Sequence, residues 1–175
     1  MAVTSYERWC SVISLTGDRD TRNTDDGPQG MIRIREASIY ALKGLPEAER
    51  HCYGVRVLTM RRWPRGVRRT AIDIWVPTAG PSTDLLTALR AGALAWEQFI
   101  TRYMEEQEQQ RSCRVVSYEQ GIPHPAEYAC RSLDYLAHLA HERGTITVLC
   151  WEQDEHCHRF HLVHALEDLE RRMHN

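Results

Sequence analysis

The chain has 175 residues, enough for one domain with a full-sized core. Hydrophobic residues make up 42% and charged residues 26%, with a formal net charge of -2, which speaks against a generally basic nucleic-acid binder and leaves only local basic patches. No apolar run is long enough to span a bilayer. The opening MAVTSYERWC has no basic segment followed by an apolar one, so no signal peptide is expected and a cytoplasmic location follows by default.

Residues 1–30 are polar, with turn chemistry at Thr16-Gly17-Asp18 and Asp25-Asp26-Gly27-Pro28, and read as a peripheral arm before a single α/β domain over 31–175. Met31 to Arg35 alternates apolar and charged residues, as a strand does. A charged loop from Lys43 to Cys52 leads to a second strand, Tyr53 to Met60. It breaks at Arg61-Arg62-Trp63-Pro64-Arg65-Gly66, because Pro64 cannot continue a ladder and Gly66 permits positive φ. Ala71 to Val76 reads as a short third strand or an extended segment, and Pro77 to Thr83 as a loop. Asp84 to Gly92 predicts a short helix with Leu85, Leu86 and Leu89 on one face. A longer helix follows, with Trp96, Phe99, Ile100, Tyr103 and Met104 at three- and four-residue spacing and a polar tail from Glu105 to Arg111.

Arg114 to Tyr118 suggests another short strand, Gly121 to Pro125 a loop, and Pro125 to Arg143 a helix ended by Gly144. Thr145 to Cys150 is the clearest strand, β-branched and nearly continuously apolar toward its end, as a buried parallel strand would be. Asp154 is a suitable N-cap for a final helix from His156 to about Arg172. Helix, glycine, strand, loop and helix in that order predict a layered α/β fold.

Six cysteines are present, and a buried, small apolar role is the ordinary one for each. Four of the nine histidines fall between His156 and His164, so the stretch from Cys150 to Arg159 carries the densest chemistry in the chain. On a helix wheel of about 100° per residue, Leu162, Leu166, Leu169 and Met173 form the stripe that should face the sheet. His158 and Arg159 flank that stripe. They would point toward the carboxyl end of the strand closing at Cys150, where open α/β sheets bind ligands. A helix N-terminus beside the planar donor of Arg159 suits an oxyanion. The structural alternative is an ion pair between Arg159 and a carboxylate such as Asp73. Cys157 in a first helical turn, between His156 and His158, should be a thiolate-prone sulfur, hence a nucleophile or redox candidate together with Cys150.

Two further sets weigh in. Cys157, His161 and His164 fall on one helix face and, with His156, could hold iron or zinc, although that face lies opposite the apolar stripe and a solvated histidine-rich surface is the plainer reading. The segment Arg61 to Arg69 holds five arginines in nine residues, beside Trp63. Arg65 and Trp63 suit phosphates and flat rings, against the plainer reading of a solubilising loop. Ser82 and Thr83 could hydrogen-bond the same anion or simply cap a helix.

Tyr53-Gly-Val-Arg-Val-Leu58, Arg62-Trp-Pro-Arg-Gly66, Ala71-Ile-Asp-Ile-Trp75, Pro81-Ser-Thr-Asp84, Thr145-Ile-Thr-Val-Leu-Cys150 and Glu155-His-Cys-His-Arg159 together resemble the YeaO-like branch of the DUF488 family, over roughly Met31 to Leu169. The helix from Trp96 to Tyr103 lies between them in the expected order. The resemblance implies a Rossmann-like fold, here expected as a three-layer α/β/α arrangement with a mainly parallel sheet. It implies no particular reaction. YeaO-like members often carry Asn-His where this chain has Cys157-His158. The stretch Cys113 to Tyr128 has the look of an insertion.

These readings converge on an enzyme acting on a small anionic molecule, nucleotide-like ones included. Arg159 and Arg65 would hold the anion, Trp63 would wall the pocket, His158 would act as general acid or base, and Cys157 or Cys150 would supply a thiol. The alternatives are a metal-dependent enzyme or metal binder using the final helix, and a nucleic-acid-associated module using Arg61 to Arg69.

Overall fold

The computed structural model describes residues 32–42, 45–153 and 155–173. The expected arm over 1–30 and the expected cap Asp154 lie outside them. Six strands form one sheet: β1 (Arg33–Ser38), β2 (Val55–Leu58), β3 (Ile74–Trp75), β4 (Cys113–Glu119), β5 (Ile122–Tyr128) and β6 (Thr145–Cys150), in the order β1-β6-β2-β3-β4-β5. Four helices of eight residues or more accompany them: α1 (Thr83–Arg90), α2 (Trp96–Gln109), α3 (Ser132–Arg143) and α4 (His158–Met173).

The sheet is mixed rather than mainly parallel. Strands β1, β6, β2 and β3 run parallel, whereas β4 pairs antiparallel with both β3 and β5. The β4–β5 hairpin occupies the stretch with the look of an insertion. It replaces the expected loop over Gly121 to Pro125 and the first residues of the expected helix, so α3 begins only at Ser132. Pro123 and Pro125 argue against a strand in a sheet interior, but β5 is an edge strand. Two residues apart, both prolines fall on the same alternation, which lets their missing donors lie on the free edge.

Strand alternation divides the core in two. On one face, Val57 of β2 and Ile146 and Val148 of β6 pack under Leu133, Leu136 and Leu139 of α3 and Leu162, Val163 and Leu166 of α4. Leu162 and Leu166 are fully buried, each worth about 1.5–3 kcal/mol by area removed from water. The expected stripe weakens along the helix, for Leu169 is half-buried and Met173 exposed. On the other face, Leu58 and Leu149 pack against Ile39, Leu42 and Ile72, with Trp63, Val67 and Trp75 beside them. Those covering residues come from loops and short turns, not from a layer of long helices. A third cluster, Leu85, Leu94, Phe99 and Tyr103, joins α1 to α2.

The four parallel strands put their carboxyl ends on one edge. Register pairs Ser38 with Cys150 and Leu58 with Leu149, and Thr59 follows with its N–H on the Leu149 carbonyl at 3.0 Å. Among the described residues no helix is long and apolar enough to cross a membrane.

Candidate functional site

Strand period places Cys150 on the same face as Ile146 and Val148, so its sulfur points at the start of α4. The chain then turns through Trp151 and Glu152 and returns at Cys157, immediately before the helix. Three side chains from this return converge with Cys150. Its Sγ lies 2.6 Å from Glu152 Oε2 and 4.0 Å from His158 Nδ1, while Cys157 Sγ lies 3.6 Å from the same carboxylate oxygen and 4.0 Å from the same nitrogen. Cys150, Cys157 and His158 are 1%, 1% and 7% exposed.

The wheel misplaced Cys157. Helix α4 starts at His158, two residues later than expected, so Cys157 belongs to the turn before it and does not obey the helical angle. It is buried with Cys150 and does not join His161 and His164. The expected metal set therefore does not assemble. His164 is exposed and faces Glu167 at 3.7 Å, and His161 and His156 pack beside Trp96.

His158 is held by its other nitrogen. Nε2 lies 2.8 Å from the Thr59 carbonyl oxygen, and a carbonyl only accepts, so Nε2 carries the hydrogen. In the neutral ring Nδ1 then keeps its lone pair, aimed at the two sulfurs. The edge of Tyr103 packs on the ring at 5.4 Å, with its hydroxyl donating to the Ala79 carbonyl at 2.7 Å. The hydrogen bond from Cys150 brings the Cys157 thiol down to about 5, against its burial and with added help from His158. The same hydrogen bond, with burial and the nearby charges of Cys157 and Glu152, raises the Cys150 thiol.

Arg159 is 4% exposed and committed to the protein. Its Nε donates to Glu36 Oε2 at 2.6 Å and its Nη1 to the Glu152 carbonyl at 2.5 Å. Glu36 is level with Val148 in the register and so faces α4. Asp73, the carboxylate suggested by the sequence, instead takes a two-pronged pair from Arg56 at 2.9 and 2.7 Å. Arg159 thus fastens the Glu152 turn to β1 and does not line the cavity.

A cavity of about 230 Å³ opens at this edge, with Cys150, Glu152 and His158 among its lining residues. Arg61, Arg62 and Arg90 line it as well, together with Thr83 and the exposed Trp151. Arg61 is partly occupied, donating to the carbonyls of Pro81 at 3.2 Å and Gly80 at 2.8 Å. Burial lowers its pKa, against the pull of Glu106. A side chain at Gly80 would stand 2.5 Å from the Arg61 backbone nitrogen, so this approach requires glycine.

The other expected anion residues lie elsewhere. Arg65 lines a separate groove with Tyr40 and Arg50. Trp63 donates to the Val67 carbonyl at 3.0 Å and meets Trp75 and Tyr118 edge-on at 5.6 and 5.3 Å, which makes it a packing residue. Ser82 caps α1, accepting the Leu85 N–H at 3.2 Å, and donates to Glu106 at 2.5 Å. Sequence reasoning did not single out Glu152, Glu36, Thr59, Arg90 or Trp151. For Glu152 the available signal was its place two residues beyond a buried strand-end cysteine. The partners Glu36 and Thr59 are more than ninety residues away from Arg159 and His158 and carry no local signal.

Residues 39–170 match the family model DUF488-N3a, described as the active DUF488-N3 subclade. The uncharacterized protein YeaO of Escherichia coli (strain K12) is 30% identical over 83 residues, 45% of this chain and 72% of that protein. No solved structure matches the chain.

Proposed function

We propose that this chain, which belongs to the YeaO-like DUF488 family, is an enzyme acting on a small anionic molecule at the carboxyl edge of its parallel strands. One observation carries the reading. A single cavity joins arginines at its rim to a thiol, a carboxylate and an imidazole at its floor. Arg62 and Arg90 are exposed and make no ion pair among the described residues, so their guanidinium groups are available for a phosphate or carboxylate. The cavity lies below the roughly 300–1,000 Å³ of drug-sized ligand sites, which favours a small anion. A nucleotide would leave its base outside, against the exposed indole of Trp151. The same reading treats β1, β6, β2 and β3 as a Rossmann-like block, since such sheets bind ligands beyond the carboxyl ends of their strands. The description of the matched subclade as active is in keeping with an enzyme.

The test is thermal stabilisation by inorganic phosphate and by nucleoside monophosphates, which reports affinity through the shift each ligand causes. Arg62→Ala and Arg90→Ala should each weaken binding about tenfold, the loss expected for one charge-assisted hydrogen bond. Unchanged shifts in both variants, or no shift in the parent protein, would remove the proposal.

A further inference from the structure

The four groups at the cavity floor share an excess of electron pairs. Two sulfurs, a carboxylate oxygen and the Nδ1 of His158 all lie within 4.8 Å of one another. Even with both thiols protonated, two hydrogens serve four donors that are largely shielded from water. The lone pair of Nδ1 faces sulfur because the opposite nitrogen is fixed on the Thr59 carbonyl. A histidine held in this way by a backbone carbonyl has the orientation that metal-binding imidazoles usually have.

We propose that Cys150, Cys157 and His158 bind a divalent transition-metal ion, best matched by zinc, with Glu152 as the adjoining carboxylate. Tetrahedral zinc with Zn–S near 2.3 Å and Zn–N near 2.0–2.1 Å sets sulfur-to-nitrogen edges of roughly 3.6 Å. The two observed sulfur-to-nitrogen separations, 4.0 Å each, need only a slight contraction. The Cys157–Glu152 separation of 3.6 Å already fits. The Cys150–Glu152 contact at 2.6 Å is too short for two ligands of one ion. Glu152 must therefore swing outward by about 1 Å, either to ligate or to hold a metal-bound water. Two thiolates and a carboxylate around a divalent ion leave one negative charge. The Arg159 guanidinium, whose charge interacts with the Cys157 sulfur, offsets it. Binding releases the thiol protons to solvent, with no change of oxidation state.

The site differs from a histidine-rich helix surface. Its ligands come from a strand end, a turn and a helix start, and His161 and His164 take no part. It stands without the anion proposal, though an ion held here would face the same cavity through Cys150, Glu152 and His158.

Protein purified with reductant and without chelator should carry about one equivalent of zinc or iron per chain. Chelated protein titrated with Co²⁺ should develop a near-ultraviolet thiolate-to-cobalt charge-transfer band. The band should collapse in Cys150→Ser and Cys157→Ser and persist in His164→Ala, Arg62→Ala and Arg90→Ala. Because the cysteines are buried and their variants could misfold, a second measurement uses the parent protein. Alkylation of the buried Cys150 and Cys157 in metal-free protein proceeds through local opening, and Zn²⁺ should slow it while the exposed Cys52 reacts as before. Absence of the cobalt band in folded, reduced protein, equal alkylation with and without Zn²⁺, or a Cys150–Cys157 disulfide that survives reductant would each overturn the proposal. Loss of phosphate binding in the arginine variants with an intact cobalt band would leave this site standing and bear on the anion reading alone.

Discussion

The Cys150–Arg159 junction, the stronger candidate in the sequence, and the Arg61–Arg69 loop, the second, meet different fates in the fold. At the junction a strand end, a turn and a helix start bring Cys150, Cys157 and His158 together out of water, with the partly exposed Glu152 beside them. In the loop five arginines lie closer in sequence, yet they diverge. Arg61 turns inward to backbone carbonyls, Arg62 lines the cavity, and Arg65 lines another groove, while Arg68 and Arg69 are exposed. Density along a chain becomes density in space only where rigid elements fix the direction of each side chain. A loop packed on Trp63 sends one arginine inward and spreads the other four outward.

The largest effect that would sharpen this contrast is at Arg159. Arg159→Met should destabilise the protein by roughly 3 kcal/mol, the scale for removing one partner of a buried ion pair. The half-exposed position of Glu36 places the value toward the lower end. Urea denaturation checks it. The same variant should weaken Co²⁺ binding, since it frees the Glu152 turn from β1. A loss below about 0.5 kcal/mol, the usual size for a surface site, would make Arg159 resemble a loop arginine and erase the distinction.

Trp63 is the loop's own structural residue. Trp63→Phe removes the donor to the Val67 carbonyl and part of the packing against Trp75 and Tyr118. A cost of about 1–2 kcal/mol is expected, with phosphate affinity unchanged. A variant of native stability that no longer binds phosphate would instead return Trp63 to a binding role.

How much of this was legible follows from how local each cause is. Strand β6 and helix α4 are readable because their apolar residues repeat at the period of the element. The final helix was placed two residues early, and that small slip reversed the side assigned to Cys157, since a wheel is valid only inside the helix. The β4–β5 hairpin was half seen. Its first strand is apolar, but β5 is almost wholly exposed and carries two prolines, which only its edge position permits. His158 was legible as a candidate, whereas the Thr59 carbonyl that sets its hydrogen is a tertiary contact from the residue just after β2. Trp63 and Arg65 were assigned to one site because an indole beside arginines suits a ligand and a core boundary alike, and the fold sets the two in different surroundings.

The smallest expected effect tests the loop most directly. Arg65 is exposed, and no shared wall connects its groove to the cavity floor. Arg65→Ala should change stability by no more than about 0.5 kcal/mol and leave phosphate binding as it was. A nucleic-acid role for the loop makes a different demand. Association with duplex DNA would then weaken linearly in log affinity against log salt, and each lost phosphate contact would flatten that slope by about 0.9. Measured by fluorescence anisotropy across salt, the parent and Arg65→Ala should show the same weak or absent binding. A steep slope in the parent that flattens in the variant would show that the diverging arginines act together on an extended polyanion. Their spread would then match the spacing of phosphates along a backbone, and the loop would be a second functional surface beside the junction.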